Sequence, residues 1–106
     1  MLILTGKQKR FIRSQANELP AIFSLGKNGI SKKWIGEILD AFNSREIIKI
    51  SIQANSAEEM DQFIDFIHAN SQITVVQKIG RTIILYLPNK DDKYQNFSKE
   101  VDKLAK

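Results

Sequence analysis

Apolar positions in the second half of the chain follow two rhythms. In EIIKISIQ, residues 46–53, Ile48, Ile50 and Ile52 alternate with Lys49, Ser51 and Gln53, which predicts a strand with one wet face. Met60, Phe63, Ile64 and Ile67 then recur at spacings of three, one and three, a helical core stripe, and Ser56 with Glu59 three residues on marks its capped start. ITVVQKIGRTIILYL, residues 73–87, reads as two β-rich runs joined by Gly80-Arg81, a two-residue loop with glycine first, as a type II′ hairpin turn prefers. Pairing Ile79 with Thr82 places Val75, Gln77, Ile84 and Tyr86 on one face and Thr74, Val76, Ile83, Leu85 and Leu87 on the other. Both faces are apolar, so either helices cover both or one is a contact surface.

The first half alternates the same way between helix and strand. Thr5 and Gln8 have capping-box spacing, and helix-compatible residues run to about Ala16, with Phe11, Ile12 and Ala16 facing the core, before Asn17 and Pro20 stop them. AIFSLG, residues 21–26, is a short buried strand with proline at its entry. Ser31 caps a helix from Lys32 to about Asn43 whose core stripe is Ile35, Ile38, Leu39 and Phe42. The order helix-strand-helix-strand-helix-strand-strand describes a single α+β domain with a four-stranded mixed sheet, comprising residues 1–89. Residues 90–106 form a polar C-terminal tail in which Tyr94, Phe97, Val101 and Leu104 permit a short helix or a frayed end.

At 106 residues, one domain with a real core is expected. The absence of cysteine removes disulfides, thiolate metal sites and a cysteine nucleophile. Neither a secretory leader nor a membrane span is readable, so a cytoplasmic protein with no membrane partner is expected. The net charge of +4 is unevenly spread: residues 1–35 hold seven basic side chains against Glu18, a balance of +6 that leaves −2 for the remainder. Such asymmetry points to a polyanionic partner contacted by the N-terminal third.

The sharpest local feature is FSLGKNGISKKW, residues 23–34. A strand runs into Gly26-Lys27-Asn28-Gly29, and a capped helix follows. Glycines at both ends let another backbone come close, the helix N-terminus offers unpaired N–H donors, and Lys27, Lys32 and Lys33 add full charges. Gly-x-x-Gly in this setting is the device by which KH-type modules clamp a single RNA strand. It is neither a Walker loop nor a dinucleotide fingerprint.

Other residues have two readings each. Trp34, just after the loop, either stacks on a base or belongs to the core edge. His68 is accounted for by a helix C-terminus, with metal binding the lesser alternative. Glu58, Glu59, Asp61 and Asp65 suit the first turns of a helix, and no nucleophile-and-base set accompanies them, so no enzyme is expected. Arg81, with Lys78 beside it, either extends an RNA-contacting surface or is a solvated turn residue.

LTGKQKRFIRSQAN, LGKNGIS and VQKIGRTIILYLP, in this order, closely resemble the YhbY family, the bacterial stand-alone form of the CRM domain, over about residues 2–89. The resemblance implies a two-layer α+β fold similar to the C-terminal domain of translation initiation factor 3. It also implies binding of ribosomal RNA of the large-subunit precursor during ribosome assembly. Carried over by position, the family's glycine loop falls on Gly26, Lys27, Asn28 and Gly29 and its basic first helix on Lys7, Arg10 and Arg13. With Lys32, Lys33 and Arg81 these are the expected RNA-binding residues of a non-catalytic, monomeric protein needing no cofactor. The alternative is a protein-interaction adaptor that uses the apolar hairpin face.

Overall fold

The computed structural model describes residues 2–21, 23–25, 31–52 and 57–104. Helix α1 spans Gly6–Ala16 and opens with a reciprocal capping box: Thr5 Oγ1 accepts the Gln8 N–H at 3.2 Å, and Gln8 Oε1 accepts the Thr5 N–H at 2.7 Å. Strand β1 is Phe23–Leu25, and α2 is Lys32–Ala41, capped by Ser31 Oγ on the Trp34 N–H at 3.2 Å and ending in a 3₁₀ turn over Phe42–Ser44. Strand β2 (Ile47–Ile52), helix α3 (Ala57–Asn70) and the hairpin β3 (Thr74–Ile79) and β4 (Thr82–Tyr86) follow. The Ser56 cap expected for α3 lies outside the described residues.

The antiparallel part of the sheet has three strands, β2-β4-β3. Onto the free side of β2 the three residues of β1 pair in parallel, Phe23 opposite Ile50 and Leu25 opposite Ile52. Strand β4 thus separates β2 from β3, the two strands joined by α3. At the hairpin turn Gly80 has φ +58° and no described non-glycine residue has positive φ, so glycine alone supplies the left-handed backbone that a II′ turn needs at its first position.

Ile79 does pair with Thr82, but the faces expected farther along β3 are reversed. Gln77 lies opposite Ile84 and Val75 opposite Leu85, so Val76 is an extra residue, a β-bulge. Beyond it the alternation changes parity: Val76, not Val75, packs with Ile84 and Tyr86, and Val75 joins the cluster of Ile83 and Leu85.

The expected two layers are three. On one face Trp34, Ile35 and Ile38 of α2 and Met60, Phe63 and Ile67 of α3 cover Ile48, Ile50, Ile52, Ile83 and Leu85. On the other, Ile12 and Ala16 of α1 and Val101 of a short helix α4 (Ser98–Lys103) cover Ile47, Val76, Ile84 and Tyr86. Strands β2 and β4 therefore bury both faces, and Ile83, Ile84, Leu85 and Tyr86 are at most 1% exposed. No apolar hairpin face is left for the adaptor reading.

The chain beyond β4 is held by one buried carboxylate. Glu46 Oε1 accepts the N–H groups of Phe97 and Ser98, both at 2.9 Å, and Oε2 accepts that of Asn89 at 2.7 Å. The buried Gln8 links α1 to α4 by donating from Nε2 to the Val101 carbonyl at 2.9 Å.

Candidate nucleic-acid interface

Strand β1 ends at Leu25 opposite Ile52, and the Ile52 N–H donates to the Arg81 carbonyl at 2.8 Å. The end of β1 and the hairpin tip thus share one end of the sheet, two strand spacings or about 10 Å apart. Gly26, Lys27, Asn28 and Gly29 lie outside the described residues. The helix that follows them begins with exposed Lys32 and Lys33 and no acid in its first turn. Arg81 is exposed as well. Lys32, Lys33 and Arg81 make no ion pair with any described residue, whereas Lys78 is held by Asp61 at 3.1 Å and is not free in the same sense.

Helix α1 presents a second group. Gly6, Lys9, Arg10 and Arg13, spaced three, one and three, form one stripe that faces the bulged part of β3. Between stripe and strand lies a cleft of about 310 Å³ lined by Gly6, Lys9, Arg10, Arg13, Val76 and Gln77. A Cβ at Gly6 would meet nothing within 4 Å, so the helix end leaves the cleft open. Lys9, absent from the expected set, belongs here. Lys7 does not, because one residue along a helix is a turn of about 100° away from Gly6. Of the expected first-helix cations, then, Arg10 and Arg13 converge and Lys7 stands apart, exposed. The bulge, which sequence alternation conceals, adds Val76 to the face on which Gln77, opposite Ile84, already lies.

Trp34 is not at the surface. It is 5% exposed and packs edge-on against Phe63, ring centroids 6.2 Å apart and planes at 67°, so it belongs to the core. His68 Nε2 accepts the Val75 N–H at 3.2 Å, beside the bulge, and needs to be unprotonated to do so. Burial, then the positive amino terminus, lowers its pKa from 6.5 against the opposing pull of Asp65. Among the described residues no His/Cys/Asp/Glu group is arranged for a metal ion, and no helix is long and apolar enough to cross a membrane.

Residues 4–86 match the family model of the CRS1 / YhbY (CRM) domain. The chain belongs to the CRM domain family. This CRM domain is 42% identical over 91 residues to the probable RNA-binding protein YqeI of Bacillus subtilis, covering 86% of this chain and 95% of that one. It is 33% identical over 95 residues to an RNA-binding protein of Haemophilus influenzae, covering 90% and 96%. The solution structure of protein SAV1595 from Staphylococcus aureus superposes with a TM-score of 0.73 at 34% identity, over 90% of this chain and 99% of that one. The family match ends with Tyr86, so the Glu46-anchored segment and α4 lie beyond it.

Proposed function

We propose that this CRM domain is a non-catalytic RNA-binding module that contacts ribosomal RNA of the large-subunit precursor during ribosome assembly, in the cytoplasm and as a monomer. The observation that carries RNA binding is the set of cations with no carboxylate partner among the described residues: Lys32, Lys33 and Arg81 at the hairpin-tip end of the sheet, and Lys9, Arg10 and Arg13 on α1. Unpaired cations attract a phosphate backbone by releasing its counterions, and the relatives in Bacillus subtilis and Haemophilus influenzae are named for binding RNA. The ribosomal target, and the likeness to the C-terminal domain of initiation factor 3, rest on the family resemblance.

In this reading Gly26 and Gly29 let the ribose-phosphate backbone come against the chain, Lys27, Lys32 and Lys33 supply charge, and the free first-turn amides of α2 receive a phosphate. The double variant Lys32→Asp/Lys33→Asp is expected to lose at least tenfold in affinity for single-stranded ribosomal RNA fragments. Its melting temperature should stay within about 2 °C of the parent, because both side chains are exposed. Unchanged affinity in that variant would remove the site, and cross-linking in cells that recovers no ribosomal RNA would remove the target.

A further inference from the structure

The cleft between α1 and the β3 bulge has a floor that phosphate attraction alone does not explain. Gln77, at its strand side, carries a side-chain Oε1 that is buried with no hydrogen-bond donor. Opposite stand Lys9, Arg10 and Arg13, with no described carboxylate paired to any of them. Cations on one side of about 310 Å³ and, on the other, an amide whose oxygen is shut in without a donor ask for a ligand that is anionic at one end and, once the amide turns over, donates a hydrogen bond to that oxygen. No aromatic side chain lines the cleft, so it offers no ring on which a base can stack. A sugar-phosphate unit suits it better than a nucleobase. In a ribonucleotide strand the sugar hydroxyl left free along the backbone is the 2′-OH, a donor that DNA lacks.

We infer that the α1–β3 cleft holds one ribose-phosphate unit of the bound strand, its phosphate on Lys9, Arg10 and Arg13 and its 2′-OH donating to Gln77 Oε1, so that Gln77 distinguishes RNA from DNA. A half-turn of the terminal amide brings the acceptor to face the sugar. This inference rests on the RNA-binding reading and adds a second contact, on the sheet face opposite α2. It makes Gln77 a specificity residue and leaves the electrostatic part of the affinity to the cations.

The test uses the full chain and three single-stranded 20-mers of one sequence, as RNA, as 2′-O-methyl RNA and as DNA, with binding followed by fluorescence anisotropy. The unsubstituted protein should bind RNA about fivefold more tightly than either of the others, the size of one lost hydrogen bond. Gln77→Leu should reduce RNA binding to the DNA level and leave DNA binding unchanged, whereas Arg10→Ala should weaken RNA and DNA equally. Equal affinity of the unsubstituted protein for RNA and 2′-O-methyl RNA overturns the inference without depending on any variant folding. So does an RNA-to-DNA ratio that survives Gln77→Leu. Neither result touches the broader reading, whose site at Lys32 and Lys33 falls if Lys32→Asp/Lys33→Asp binds RNA normally and which falls entirely if the unsubstituted protein binds no RNA.

Discussion

Tyr86 shows at the scale of one residue how function-neutral positions carry strain in solvation. Its ring fills the core between α1 and α4, yet its hydroxyl is buried without a partner. Burial, reinforced by the carboxylates of Glu46 and Asp102, raises its pKa above the ordinary value of 10.0. The folded state therefore holds the phenolic proton more tightly than the unfolded chain does. That contribution is complete below pH 10 and is lost as the pH climbs above it. Tyr86→Phe is expected to raise stability by about 1 kcal/mol at neutral pH, read from the urea midpoint, and to flatten the decline above pH 10. A loss of stability at pH 7 would mean that the hydroxyl has a partner in solution. His68 has the opposite sign: its lowered pKa makes its contribution full above pH 6.5 and lost on acidification, as the Val75 N–H loses its acceptor. Neither effect was readable from the chain, in which Tyr86 is one member of a β-rich run and His68 a residue at a helix end.

Local patterns predicted the elements well where period and cap agree, as in α1 with its Thr5/Gln8 box and α2 with Ser31. They failed where one residue alters the count. The extra residue Val76 reverses every side chain before it in β3, and no local composition announces a bulge. The third layer was left open, because the spacing of Tyr94, Phe97, Val101 and Leu104 permits a short helix or a frayed end alike and α4 is ordered by long-range contacts: Val101 under α1, and its first amides on Glu46. Glu46 looked like a polar residue at the start of a strand and is 1% exposed. Glu46→Ala strands three N–H groups and is expected to cost about 3 kcal/mol in stability, measured by denaturant unfolding. A cost below 1 kcal/mol would mean that α4 is not held by this carboxylate.

Across the whole molecule the charge asymmetry seen in the sequence becomes a geometric one. Cations gather at the hairpin-tip end of the sheet and along α1, while the opposite end carries a groove of about 660 Å³ bordered by Leu39, Phe42, Leu87 and Pro88. The first three dozen residues supply Lys32, Lys33 and the α1 stripe of this arrangement, while the loop 26–29 lies outside the described residues and Trp34 beside it is a core residue. If several of these cations contact phosphates, the logarithm of RNA affinity should fall with the logarithm of salt concentration at a slope near −0.7 per phosphate neutralised. A flat dependence would exclude the electrostatic mechanism. The most direct test of the central claim is an amide NMR titration of the ¹⁵N-labelled chain with a single-stranded ribosomal RNA fragment. Shifts are expected at Gly26–Gly29, Lys32, Lys33 and Arg81 and along Lys9–Arg13, and RNA binding at this end of the sheet is refuted if they cluster instead around Leu39, Leu87 and Lys90 at the other end.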